Sequence, residues 1–381
     1  MKKFLNIALL SLTLAACKPE PPLHLFDAGN IEIDLPMVEL ELEAYWDYEL
    51  AYGVTYDWRA EWFYGWDDTD RKIFGEIGYT EPSVFNLRRY YTGNTSPAHH
   101  TTVLANTING YTFRGKYNWG FWDILVWNDV HTIDDVQSLN FDETTTLDYV
   151  TAYTNQTMRP SRHNAPKFTR SFYEPEPLFA AYDVGVEIKR NLEGFYYDEE
   201  RNVWVKRLDM ILKPVTYIYL TQVILHNNKN KIIGVDGSAD LSGMARTVTL
   251  NSGISGTDAI TVYYNNRLKN NCDMHSENVD IIGGRLITFG ICNQNGNDIK
   301  RFEEVKDENR HYMDVTMQFN NGMDSTFVFD VTDQVRHRWK GGVLTVELDM
   351  DTIPVPKRSG GSAFDAVVKD YEDGGTHEFE M

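Results

Sequence analysis

What this 381-residue sequence lacks narrows its chemistry first. It has no His-Glu-x-x-His, no Cys-x-x-Cys and no alternating acidic calcium loop with its glycine, the spacings that bring metal ligands onto one centre. His99-His100 are adjacent and would point to opposite sides of a strand, and Asp67-Asp68-Asp70 lies in a turn where acids face water. No Gly-x-Ser-x-Gly elbow occurs, although Gly253 to Gly256 looks superficially similar. Gly234-Val235-Asp236-Gly237 is followed by neither a third glycine nor Lys-Ser/Thr, so it has no phosphate cradle. The expectation is a chain with no catalytic residue, metal or cofactor, and not an enzyme. Carboxylate pairs at glycosidase distance arise by chance among 56 acids, so a glycan-cleaving enzyme stands last among the readings.

Basic charge is also scarce. The chain carries 36 Lys and Arg against 56 Asp and Glu, a formal charge of -20. Nucleic acid and acidic lipid both require a basic face, so neither is expected as a partner. Cysteine is rarer still, with three residues, and no apolar run approaches the roughly 20 residues that span a bilayer.

The N-terminus gives one of those cysteines a role. Lys2 and Lys3 precede an apolar run from Phe4 to Leu14, and Leu14-Ala15-Ala16-Cys17 closes it. This is a secretory leader with small residues at its cleavage point. A cysteine directly after them makes a lipobox, cut before Cys17, whose thiol then carries lipid. Residues 1–16 are expected to leave as the signal peptide, and 17–27, with Lys18-Pro19-Glu20-Pro21-Pro22, to form a lipidated, extended tether. Lys18 in place of an aspartate favours the outer membrane. Cys272 and Cys292 remain for a candidate disulfide closing a loop of about 20 residues, worth roughly 3 kcal/mol, or for two buried thiols.

Aromatic residues make up 13% of the chain, which suits sheet surfaces. Ile31 to Leu35 and Val38 to Glu43 alternate apolar and acidic residues as half-wet strands. Phe85 to Tyr91 reads as a strand, and Thr112 to Val126 as one buried central strand. Glu174-Pro175-Glu176-Pro177 predicts a helix running from Leu178 through Ile188. Past Lys213-Pro214, strands are expected at Val215–Leu225, Thr247–Leu250, Ile260–Tyr264, Ile281–Ile291, Tyr312–Phe319, Thr326–Val331 and Val343–Leu348, with a helical insert at Thr332–Trp339. Short strands with Gly and Asn turns between them predict an antiparallel sandwich. The expected division is a Trp-rich domain over 28–213 and a second domain over 214–381.

Seven of nine tryptophans fall in the first third of the chain. Most read as core. Trp58, Trp62 and Trp66, spaced by four among charged residues, are the candidates for an exposed platform that would hold glycan.

The second half carries a resemblance. Tyr217-Ile218-Tyr219-Leu220-Thr221-Gln222-Val223 and Ser238 to Arg246 look like the matching region of fimbrillin-type lipoproteins of Bacteroidetes, the subunits and anchors of type V pili. Val331 to Val335 before Gly341-Gly342, and the tail from Gly360 to Tyr371, are similar to how those proteins end. Within that group the chain most resembles an uncharacterised gut family that keeps a lipobox. The resemblance implies a mainly β fold of two tandem transthyretin-like antiparallel sandwiches with a few short helices. It also implies a pilus anchor or minor subunit, whose partners are other pilus subunits and the membrane through its lipid. Strand addition at open sheet edges would be the means of assembly, with the segment after Gly361 as a candidate strand. A surface lipoprotein holding glycan on its Trp-rich domain is the competing reading.

Overall fold

The computed structural model describes residues 36–44, 57–93, 102–130, 138–143, 150–159, 170–294, 308–357 and 365–367. The expected leader, Cys17, the expected tether, the strand expected at Ile31–Leu35, Trp46 and His99-His100 lie outside them.

Strands dominate. The first half contributes β1 (Met37–Ala44), β2 (Val84–Gly93), β3 (Thr102–Asn109), β4 (Thr112–Lys116), β5 (Gly120–Asn128), β6 (Leu139–Asp142), β7 (Thr151–Thr154), β8 (Phe179–Ile188), β9 (Phe195–Asp198) and β10 (Val203–Pro214). The second contributes β11 (Tyr217–His226), β12 (Ile232–Ala245), β13 (Thr247–Thr249), β14 (Ala259–Met274), β15 (Glu277–Thr288), β16 (Tyr312–Phe319), β17 (Asp324–Asp330), β18 (Gly342–Asp349) and β19 (Asp365–Val367). The helices among the described residues are short: α1 (Asp68–Phe74) and α2 (Thr332–His337).

The first sheet has the order β3-β2-β5-β8-β10-β1-β4, with β9 beside β10. Its two end strands, β3 and β4, are joined by the turn at Gly110-Tyr111, and the Leu42 amide donates to Tyr111 O at 2.8 Å, so the sheet curls back on itself. β10 makes the corner. Val203–Lys206 pair with β9 and Val205–Leu212 run parallel to β1, whereas Lys213 and Pro214 alone pair with β8. Val38, Leu40, Phe85, Leu87, Trp122, Ile124, Val126 and Phe179 fill the inside.

The second sheet, β18-β11-β15-β14-β12-β16-β17-β19, folds in the same manner around one long strand. Ala259–Asn265 of β14 pair with β12, and Asn266–Met274 pair with β15. Two layers result, with Tyr219, Val223, Leu241, Tyr264, Leu286, Met313, Val315 and Phe327 buried. A third, small sheet, β13-β7-β6, takes strands from both halves of the sequence, and Trp127, Leu139, Ala152, Val215, Val248 and Phe289 share a core there.

The helix expected over Leu178–Ile188 is strand β8. Propensity loses to pairing: β5 registers against it from Gly120↔Ile188 to Trp127↔Ala180, and β10 takes Phe179 and Ala180. The single strand expected over Thr112–Val126 is two, β4 and β5, broken where Trp122 Nε1 donates to Asn118 O.

β11 is buried on both faces, and the reason lies far upstream. Residues 58–79 cross the outer face of β11, β15 and β14. Gln222, with no exposed surface, donates to Glu61 O at 2.7 Å and to Thr345 Oγ1 at 2.9 Å, and accepts from the Phe63 amide at 3.0 Å. Tyr64 lies flat on Gly283, where a Cβ would come within 2.4 Å of the ring. Asp67 caps α1 as one half of a capping box. Asp70, the other half, is fully buried and accepts from Tyr64 Oη at 3.0 Å, the Asp67 amide at 2.8 Å, Arg267 at 2.8 Å and Lys269 Nζ. Burial first, then the Asp70 charge, push the Tyr64 phenol far above its usual range. Further along, Arg285 donates to Ile77 O at 3.2 Å, and Tyr79 Oη to Thr216 O at 2.5 Å.

Removing one member of a buried charge network leaves the others uncompensated, at a cost of about 3–5 kcal/mol. Asp70→Ala is therefore expected to destabilise the chain by about 3 kcal/mol in urea denaturation, and Asp70→Asn by less. A loss below about 0.5 kcal/mol, the usual range for a surface change, would remove Asp70 as the pin of this segment.

Candidate functional site

Sheet edges are where a β protein must either close itself or bind, because an open edge offers a row of unpaired amides and carbonyls. The two edges of the second sheet are treated differently. At β18, the Gln334 side chain from α2 donates to Thr345 O and accepts from the Thr345 amide, both at 2.8 Å. A side-chain amide thus takes the place of a neighbouring strand's peptide at the middle of β18. At the other end, β17 receives β19 in parallel, through Thr326↔Asp365, Phe327↔Ala366 and Val328↔Val367.

β17 is built for an edge position. Phe327 and Phe329 point inward and stack at 6.2 Å, with Phe319 6.4 Å from Phe327. Thr326 Oγ1 and Thr316 Oγ1 lie 2.8 Å apart across the β16–β17 pair. Of its seven residues, three pair with β19. The short segment of the tail expected to supply a strand therefore lies on the last long strand of its own half; the rest of 363–381 lies outside the described residues.

The tryptophans do not form one open platform. Trp62 is 8% exposed, with Nε1 donating to Gly65 O at 3.1 Å. Trp58 and Trp66 are half-buried against the core. Trp66 tilts against Phe74 at 5.4 Å and donates to Gly75 O at 3.3 Å, and Arg59 sits over the Trp58 ring at 4.6 Å. Spacing by four would align them on a helix, but they fall on a 3-10 turn and an extended run, and seating that run on the second sheet buries its middle indole.

Cys272 and Cys292 are free thiols, which corrects the candidate disulfide. Cys272 pairs with Val279 near the start of β15, whereas Cys292 lies beyond its end, with Sγ 3.9 Å from Gly243 O. β15 from Val279 to Thr288 alone spans about 30 Å, against the roughly 7 Å limit for bridged Cα atoms. Burial pushes the Cys272 thiol up from its usual value.

Among the described residues no group of three His, Cys, Asp or Glu could hold a metal ion. No helix among them is long and apolar enough to cross a membrane.

One titratable group was invisible to motif reasoning. Glu174, read from sequence as a helix start, reaches β15, where its Oε2 accepts from the Ile287 amide at 2.9 Å. Loss of water pushes its carboxyl up to about 7, against the opposing pull of Arg285 and the Ile287 amide and with a smaller push from Glu176.

No family model matches the sequence, and no curated protein matches it. Solved structures do. A candidate adhesin from Bacteroides ovatus is 12% identical with a TM-score of 0.47, over 83% of this chain and 93% of that one. The fimbrial anchor protein Mfa2 from Porphyromonas gingivalis is 11% identical with a TM-score of 0.37, over 82% and 90%. The tip fimbrial protein Mfa3 from the same organism, in a C-terminally truncated form, is 8% identical with a TM-score of 0.32, over 77% and 81%. The structural neighbours are thus of the kind that the sequence resemblance named.

Glu174 yields a pH prediction. A folded-state pKa above the unfolded one means that the folded chain keeps a proton the unfolded chain has released, so stability falls as pH rises from 4.5 to about 7. Glu174→Gln should flatten that fall and leave the chain more stable than wild type above about pH 7. Urea midpoints at several pH values read it; parallel curves for the two proteins would contradict it.

Proposed function

We propose that this chain is a non-enzymatic cell-envelope lipoprotein of the fimbrial kind, held on the outer membrane through Cys17 and joined to other pilus subunits by strand addition at β17. The observation that carries the assembly part is the thin hold of Asp365–Val367 on β17, three registered pairs at the end of an eight-stranded sheet. An incoming strand could cover the full length of Asp324–Asp330 and offer more main-chain bonds than β19 does. Gly360-Gly361 precede the segment in sequence, a pair suited to a hinge. The leader, Leu14-Ala15-Ala16-Cys17, supports the anchoring part. Glycan binding on Trp58, Trp62 and Trp66 has less support, since Trp62 is buried.

Cys17→Ala should leave the chain unprocessed or release it from the membrane fraction. A variant that still matures and partitions into detergent like wild type would overturn the anchoring.

Deleting Ala363 to Met381 separates the two uses of the tail. Under strand exchange, the truncated chain keeps its melting transition but no longer co-purifies with pilus subunits when isolated from the envelope. A synthetic peptide covering 360–381 then binds it one to one. A truncated chain that fails to fold would mean that the tail closes its own sheet, and exchange must be abandoned.

A further inference from the structure

Where β5 begins and β8 ends, at one end of the first sheet, Trp119, Phe121, Glu187, Lys189, Arg190 and Asn191 border a groove of about 310 Å³. That size falls at the lower end of the range of small-molecule sites, about 300–1,000 Å³. Register explains why these side chains meet. Phe121 lies opposite Glu187 and Gly120 opposite Ile188. Strand alternation therefore sets Phe121 and Glu187 on one face, and Ile188, 1% exposed, on the core side. Trp119 and Lys189, two residues along from Phe121 and Glu187, extend the same row.

The aromatic side is fixed in place. Tyr91 Oη donates to Trp119 O at 2.8 Å, and the Trp119 indole is half-buried with Phe195 at 6.4 Å. Gly120 adopts φ +124, and a Cβ there would meet Gly93 O at 2.6 Å. Only glycine lets the chain pass so close to β2 and turn Trp119 and Phe121 toward the groove.

The polar side is unevenly satisfied. Lys189 Nζ bonds Glu193 at 2.9 Å and lies 3.8 Å from Glu187, so its charge is matched. Lys206 Nζ donates to Glu187 O at 3.0 Å. Asn191 Oδ1 accepts from the Glu193 amide at 3.1 Å, which leaves its own amide hydrogens for a ligand. Arg190 is exposed and has no ion-pair partner among the described residues, on a chain whose formal charge is -20. An unmatched guanidinium fork is the group that takes a carboxylate in two parallel hydrogen bonds. Aromatic rings beside it suit the apolar face of a pyranose. A bare anion would leave the rings unused, and a neutral sugar would leave the arginine unused.

We infer that this groove binds an acidic saccharide, a sugar ring stacked on Trp119 and Phe121 with its carboxylate on Arg190 and a hydroxyl on Asn191. The site uses none of Trp58, Trp62 or Trp66 and does not depend on strand exchange.

The test is a calorimetric titration of the full chain with a digalacturonate and, separately, with the neutral digalactose. The uronate is expected to bind at least tenfold more tightly. Arg190→Gln, an exposed change that leaves the melting transition in place, should lower uronate affinity about tenfold and bring it level with the neutral sugar, while Trp119→Leu should weaken both. Deletion of the tail should change neither. Equal affinity for the two sugars, no binding of either, or uronate binding indifferent to Arg190→Gln would each overturn the assignment.

Discussion

Gln222 sits at the middle of β11 with no exposed surface, and the layered arrangement of the second sheet depends on its being satisfied. A buried amide without partners costs about 1–3 kcal/mol; here every polar atom is used, by Glu61, Phe63 and Thr345. Two of those partners belong to residues 58–79. The half-sheet β18-β11-β15-β14 therefore needs a stretch from far upstream as its outer layer. Asp70 pins that layer electrostatically, and Tyr64 on Gly283 sets how closely it can lie. This is where the Trp58–Trp66 aromatics are spent, as cover for a sheet.

Local pattern reported much of the second half. Tyr312–Phe319 is β16 as expected, β11, β13, β17 and β18 fall within two residues of the expected strands, and α2 starts at Thr332 as read. These segments alternate or run apolar, and their turns carry Gly or Asn. β12 was hidden, because Gly234, Gly237 and Gly243 read as punctuation. In the structure those glycines accompany register shifts at Ile232/Gly234, Val235/Ala239 and Leu241/Met244, so they mark bulges within a strand and not its ends. β14 was read as five residues and is sixteen, since its polar second half, Asn266 to Met274, pairs on the strength of backbone bonds.

The candidate sites were less legible, for a physical reason. Whether Trp62 faces water is decided by a sheet some 160 residues later in the chain, as the Phe63–Gln222 bond illustrates. Whether Cys272 and Cys292 can meet is decided by the length of β15 between them, and an apolar run does not announce its own direction. Trp119 was visible only as part of an apolar run; its place beside Arg190 follows from the β5–β8 register, which the helix expected over Leu178–Ile188 concealed.

The clamp of Gln334 on Thr345 has a consequence for valence. With the middle of β18 occupied, the stretch left on either side is too short to template a full strand, and at the other end of the described sheet β17 is covered over three of its seven residues by β19. A sheet with two open ends can be copied indefinitely, as in a fibril. One with a single open end can be joined once. Under the strand addition proposed above, the described strands of the second sheet would be joined at one end alone: a partner seated on β17 would stop the ladder, and two molecules meeting there would exhaust each other and never seed a run.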